Sequence, residues 1–175
     1  MLSLTNSAIL LDIGDTLIAA SRIAQCTLFT TVSCFKTQGL LARDADLVDS
    51  FRIANQKIEG HAVNHLFSSE QIVELACSLA GIEPSREFVE RFLAGYQDSV
   101  REQLLPDHAL RALLQSLKDS GVLIGVVTDG TTNEQTETLQ RIGVLSLIDV
   151  VVTSEQLGVE KPHAIMFTTA LDRSS

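Results

Sequence analysis

The sequence predicts an α/β protein whose parallel-sheet core is split by an all-helical insertion. Two apolar runs end in polar turns: Ala8-Ile9-Leu10-Leu11 leads into Asp12-Ile13-Gly14-Asp15-Thr16, and Val122-Leu123-Ile124-Gly125-Val126-Val127 leads into Thr128-Asp129-Gly130. Consecutive apolar residues of this kind mark strands covered on both faces. From about residue 19 to 103 only helical spacings occur, whereas from Pro106 onward helix and strand patterns alternate. The simplest arrangement is a discontinuous core, residues 1–18 and 104–175, with an inserted helical cap over 19–103.

Each element has a local reason. The first strand ends at Asp12, and Gly14-Asp15-Thr16 supplies turn chemistry and backbone N–H groups able to hold an anion. In the insertion, helices are expected from Ala20 to Gln38 and from Ala42 to Asn64, with Gly39 breaking them. Ser68-Ser69-Glu70-Gln71 reads as a capping box ahead of Ile72, Leu75, Ala76 and Leu79, and Gly81 stops that helix. After Pro84, Phe88, Val89, Phe92, Leu93 and Tyr96 recur at helical spacing, the mark of a packing face rather than a ligand pocket. Asp107 caps a helix whose Leu110, Leu113, Leu114 and Leu117 share one side and which ends at Gly121. The strand Val122 to Val127 follows. Thr131-Thr132-Asn133-Glu134 is a second capping box, opening a helix that closes before Gly143, and Leu147 to Val152 reads as a further strand. Pro162 is suited to open the last helix at its first turn. Right-handed crossovers between parallel strands put the tips carrying Asp12 and Thr128 side by side, where open α/β sheets bind ligands.

Composition narrows the function classes. With 175 residues and 45% hydrophobic content, the chain can bury one ordinary core and a smaller second one. A net charge of -9 opposes nucleic-acid binding, which needs a basic face. No apolar run approaches the roughly 20 residues that span a bilayer, and the apolar N-terminal segment lacks a basic leader, so a cytoplasmic location is expected. Cys26, Cys34 and Cys77 lack paired spacing and read as reduced core thiols.

A carboxylate, a hydroxyl and an ammonium delivered in this order, the first two on strand tips, carry a resemblance to the haloacid dehalogenase-like hydrolases over nearly the whole chain. Asp12 to Leu17 resembles the first motif of that superfamily and Val126-Val127-Thr128-Asp129-Gly130 the second. Lys161-Pro162, with the preceding Val151 to Glu160, resembles the third. The stretch between the first two motifs looks like the helical cap of one large subfamily, which contains many small phosphate-ester phosphatases. The resemblance implies a Rossmann-like core and magnesium-dependent hydrolysis of a small phosphorylated metabolite. Asp12 would form an aspartyl-phosphate, Thr128 and Lys161 would hold the phosphate, and Mg2+ would bridge it to Asp12 with the Gly14 carbonyl as a further ligand. Gly14, Asp15, Thr16, Asp129, Gly130 and Asn133 would line the phosphate. The residue types agree with this chemistry, because a carboxylate is a weak nucleophile that needs the phosphoryl charge neutralised.

Two departures shape the expectation. Family phosphatases place a second Asp two residues after the nucleophile; here Gly14 stands there, with Asp15 one step later, and a one-residue shift redirects a side chain. The family also continues beyond the helix near Pro162 into a strand with Gly-Asp and acidic magnesium ligands, and no such motif precedes Ser175. The reading is therefore a core truncated at its C-terminus, a thin metal site of Asp12 and Gly14, and impaired turnover. It adds an apolar sheet edge over Ile9 to Ile13 that promotes self-association. Two alternatives stay open. One is another hydrolase of the superfamily, a dehalogenase or a phosphonate hydrolase, the latter requiring Lys36 or Lys57 as a Schiff-base lysine. The other is a non-catalytic binding or interaction protein. His61 and His65 share a helical turn without a third ligand, and His108 and His163 have no visible partner in the sequence.

Overall fold

A computed structural model describes residues 7–42, 46–59 and 70–173. It divides into two compact units, one of Met1–Ala19 with Leu104–Ser175 and one of Ala20–Gln103.

The first unit is built on strands β1 (Ala8–Leu11), β2 (Leu123–Thr128) and β3 (Val150–Thr153), in the order β1-β2-β3. Both pairings are parallel, with Leu11 beside Val126 and Thr128 beside Thr153. The central strand is the most buried: Ile124, Val126 and Val127 are all inaccessible or nearly so. Gly125 allows close approach of its neighbours, since a methyl group there would lie 2.6 Å from Leu10 Cδ2 and 3.1 Å from Val150 Cγ1. Helix α8 (Ala164–Arg173) lies against all three strands, and its Met166 and Ala170 join Val127, Val150 and Val152 in one apolar cluster. Helix α5 (His108–Asp119) packs on β2, and α6 (Thr132–Arg141) packs on β3.

Capping explains where these helices begin. The Asp107 carboxylate accepts from Leu110 N at 2.9 Å, and Thr131 Oγ1 accepts from Glu134 N at 3.3 Å while donating to Glu134 Oε2 at 2.8 Å.

Several sequence expectations change here. Leu147 to Val152 is not one strand: Leu145–Leu147 forms a 3₁₀ turn, and the strand starts only at Val150. Asp149 is the reason, because its main-chain N–H donates to Ile124 O at 2.8 Å and its carboxylate accepts from Ile124 N at 2.7 Å. That reciprocal pair fixes the approach to the sheet. Leu113 is 59% exposed, so the inward face of α5 centres on fully buried Leu114. Pro162 lies in the turn before α8, not in its first turn, since the helix begins at Ala164.

The second unit contains α1 (Ala20–Thr37), α2 (Leu47–Glu59), α3 (Glu70–Leu79) and α4 (Arg86–Gln103). Helix α1 packs on α4, α2 on α3, and α3 on α4. An aromatic cluster forms the core: Phe51 stacks on Phe92 with centroids 5.0 Å apart, and Phe35 meets Phe92 edge-on at 5.3 Å. The residues 42–46 expected at the start of the second helix are not helical where described, and α2 begins at Leu47. The capping serines Ser68 and Ser69, together with His61 and His65, lie outside the described residues. Cys77 is buried, whereas Cys26 and Cys34 sit on the exposed side of α1, so two of the three expected core thiols face outward.

Asp149 also makes a pH-dependent contribution. Burial of its carboxyl favours the neutral form, but hydrogen bonds from Lys118 and from Ile124 N, with the charge of Lys118, outweigh it and hold the group below the usual carboxylate range. A depressed folded-state value means stability that is present above the unfolded value and is lost as pH falls through the folded one. Asp149→Asn is expected to lower the urea midpoint at pH 7, and the gap to the parent protein is expected to close progressively below about pH 4.

Candidate active site

The tip of β1 delivers Asp12 into a tight turn. Its Oδ1 accepts from Ile13 N at 2.8 Å, which orients the carboxylate. The turn closes on the Ile13 carbonyl, which receives Thr16 N at 3.3 Å, Leu17 N at 2.9 Å and Ile18 N at 3.1 Å. Asp15 takes a left-handed backbone with φ of 53°, one of the few conformations in which a non-glycine residue reverses the chain this sharply. The Thr16 N–H is thus committed within the turn.

The neighbouring tip of β2 delivers Thr128, Asp129 and Gly130. Pairing of Leu11 with Val126 carries Asp12 and Thr128 off adjoining strands at the same end of the sheet. Thr128 is almost wholly buried, and its single hydroxyl hydrogen has two distant acceptors, Gln135 Oε1 and Asp129 O, each at 3.4 Å. Gly130 has φ of 115°, and its N–H donates to Ser154 Oγ at 2.9 Å. Asn133 is exposed on the first turn of α6.

Lys161 reaches the same place from the segment between α7 (Ser154–Leu157) and α8. Its Nζ lies 2.7 Å from Asp12 Oδ1 and 3.9 Å from Asp129 Oδ2, and its main-chain N–H donates to Asp129 Oδ1 at 3.0 Å. The side chains of Asp12 and Lys161 are 30% and 23% exposed, so the pair is half-buried yet open to a small solute. In such a setting a charge-assisted contact is stronger than on an open surface. The arrangement presents a carboxylate oxygen, with an ammonium beside it and a hydroxyl on the adjoining tip. It can bring a weak nucleophile to an anionic centre and neutralise charge on the oxygens around that centre.

Of the nine candidates read from the sequence, direct contacts join Asp12, Asp129 and Lys161. Thr128 is placed beside them by strand register, Gly14, Asp15, Thr16 and Gly130 lie on the turns leading away, and Asn133 lies on the first turn of α6.

A supporting layer was missed in the sequence. Glu155 Oε2 accepts from Thr132 N at 2.8 Å and caps α6, Thr132 and Thr153 share a hydroxyl contact at 2.8 Å, and Ser154 holds Gly130. The available signal was Thr153-Ser154-Glu155-Gln156, a capping-box pattern: Thr153 caps α7 and accepts from Gln156 N at 3.4 Å. Among the described residues no group of three or more His, Cys, Asp or Glu side chains is placed to hold a metal ion, and no helix is long and apolar enough to cross a membrane.

Comparison with known proteins adds an independent line. A family model described as haloacid dehalogenase-like hydrolase matches residues 49–175. A glyceraldehyde 3-phosphate phosphatase of Methanocaldococcus jannaschii is 30% identical over 166 residues, covering 94% of this chain and 69% of the relative. Another of the same description, from Methanopyrus kandleri, is 28% identical over 166 residues, covering 95% of this chain and 69% of its own. Among solved structures, the HAD-hydrolase YfnB of Bacillus subtilis bound to magnesium superposes with a TM-score of 0.69 at 18% identity, covering 97% of this chain and 74% of that one. It supports the fold.

Gly130 gives a local test of the β2 tip. A methyl group at this position would come within 2.7 Å of Gln135 Nε2, on a backbone that L side chains rarely adopt. Gly130→Ala is expected to cost about 1–3 kcal/mol in urea unfolding.

Proposed function

The chain belongs to the haloacid dehalogenase-like hydrolases, and from that premise we propose that it is a phosphatase of a small phosphorylated sugar, working through an aspartyl-phosphate on Asp12. The observation that carries the proposal is the 2.7 Å contact between Lys161 Nζ and Asp12 Oδ1 at a strand tip. The names of the two archaeal relatives support the substrate class. In this reading the helical unit Ala20–Gln103 is the inserted cap.

The chemistry follows from the residues present. An Asp12 oxygen attacks phosphorus and the P–O ester bond breaks, the leaving oxygen departing as an alkoxide that takes its proton from water; a water then cleaves the acyl phosphate, releasing inorganic phosphate and restoring the carboxylate. Lys161 and the Thr128 hydroxyl hold the phosphoryl oxygens as charge builds on them. In this reading Gly14, Asp15, Thr16, Gly130 and Asn133 surround the phosphate, and Asp129, expected from the sequence to line it, stands instead against Lys161.

The donors suit a hard cation: the Asp12 carboxylate and the Gly14 carbonyl are oxygen ligands, and magnesium typically takes one or two carboxylates and completes its shell with waters and phosphate. Bound there, magnesium would draw charge from the phosphoryl group. Position 14 carries no side chain, so no carboxylate protonates the leaving alcohol from that slot. Absence of such an acid costs about 10²–10⁴ in rate and favours substrates with good leaving groups.

A panel of sugar phosphates that includes glyceraldehyde 3-phosphate, assayed beside p-nitrophenyl phosphate with magnesium or a chelator, tests the reading. Magnesium-dependent phosphate release is expected, lost in Asp12→Asn and lowered about 10²–10³-fold in Thr128→Ala. Unchanged release by Asp12→Asn would reject the proposal.

A further inference from the structure

We propose that Asp129 is a positioning residue for Lys161, acting through its hydrogen bond to the Lys161 main chain; the inference rests on the phosphatase reading of the same site. Lys161 lies in a segment, residues 158–163, with no helix or strand to fix its backbone. Its stem is a flexible chain of four carbons with a compact charge at the end. Asp129 grips it at two points across 32 residues of sequence: Oδ1 accepts from Lys161 N at 3.0 Å, and Oδ2 lies 3.9 Å from Nζ.

The placement is costly in one respect. A carboxylate this close to the phosphate site repels the dianion the site must hold, so a phosphate-contacting role for the side chain itself is electrostatically unfavourable. Holding the lysine main chain explains why a short side chain with an oxygen acceptor stands there. Asp129 is itself fixed, because it follows Thr128 on the buried tip of β2 and precedes Gly130, whose N–H is tied to Ser154 at 2.9 Å. The rigid sheet thereby sets the position of a cation carried by an irregular segment.

Three variants separate the hydrogen bond from the charge. Asp129→Ala removes both, Asp129→Asn keeps an oxygen acceptor without the charge, and Asp129→Glu keeps the charge and displaces the acceptor by a methylene. Steady-state assay with p-nitrophenyl phosphate and magnesium is expected to show kcat/KM lowered about tenfold to a hundredfold in Asp129→Ala and Asp129→Glu, with Asp129→Asn restored to within a few-fold of the parent. If Asp129→Ala does not fold, Asp129→Glu against Asp129→Asn gives the same comparison. A second readout needs no turnover: trace acetylation with acetic anhydride, followed by peptide mass spectrometry, is expected to label Lys161 faster in Asp129→Ala than in the parent or in Asp129→Asn. Parent-like kinetics and labelling in Asp129→Ala, or an Asp129→Asn as impaired as Asp129→Ala, would overturn the inference. Altered Lys161 labelling in a protein that releases no phosphate would instead uphold the positioning role and count against the phosphatase reading.

Discussion

An ammonium held against the carboxylate at the end of β1 is the constraint around which the first unit is arranged. Asp12 follows the end of β1 and Lys161 lies on an irregular segment far along the chain, so neither element alone could bring them to 2.7 Å. The central strand reconciles the two. β2 fixes β1 through parallel pairing, and the residue that follows it, Asp129, accepts from the Lys161 main-chain N–H. Its burial on both faces makes that tip a rigid reference point.

A second layer of contacts keeps the reference point in place. Ser154 ties down Gly130, and Glu155 caps the helix that follows the β2 tip. The shared hydroxyl contact of Thr132 and Thr153 joins the start of α6 to the end of β3. Ser154, Glu155, Thr132 and Thr153 need not meet a ligand themselves. They order the turns so that groups at the tips would lose little conformational freedom on binding a ligand.

Much of this was legible in the sequence, for identifiable reasons. The strands carrying Asp12 and Thr128 announce themselves as apolar runs ending in turn residues, and the caps at Asp107 and Thr131 follow from local hydrogen bonding alone. What escaped depends on partners distant in sequence. Asp149 reads as an ordinary polar residue inside an apolar run, yet its reciprocal bonds to Ile124 delay the third strand. Leu113 belongs to the right periodic stripe but lies at its margin, and so remains exposed. Glu155 looks like a turn residue until the helix it caps is seen beside it. Asp129 was visible as a site residue, but its grip on a main-chain N–H across the fold leaves no local signature.

The central claim is a covalent one, and it can be observed directly. Rapid acid quench during turnover of a radiolabelled phosphomonoester, followed by proteolysis and peptide mapping, is expected to place the label on the peptide containing Asp12, in a linkage that hydroxylamine cleaves. Steady phosphate release with no label on that peptide, or with the label on another residue, would contradict the account.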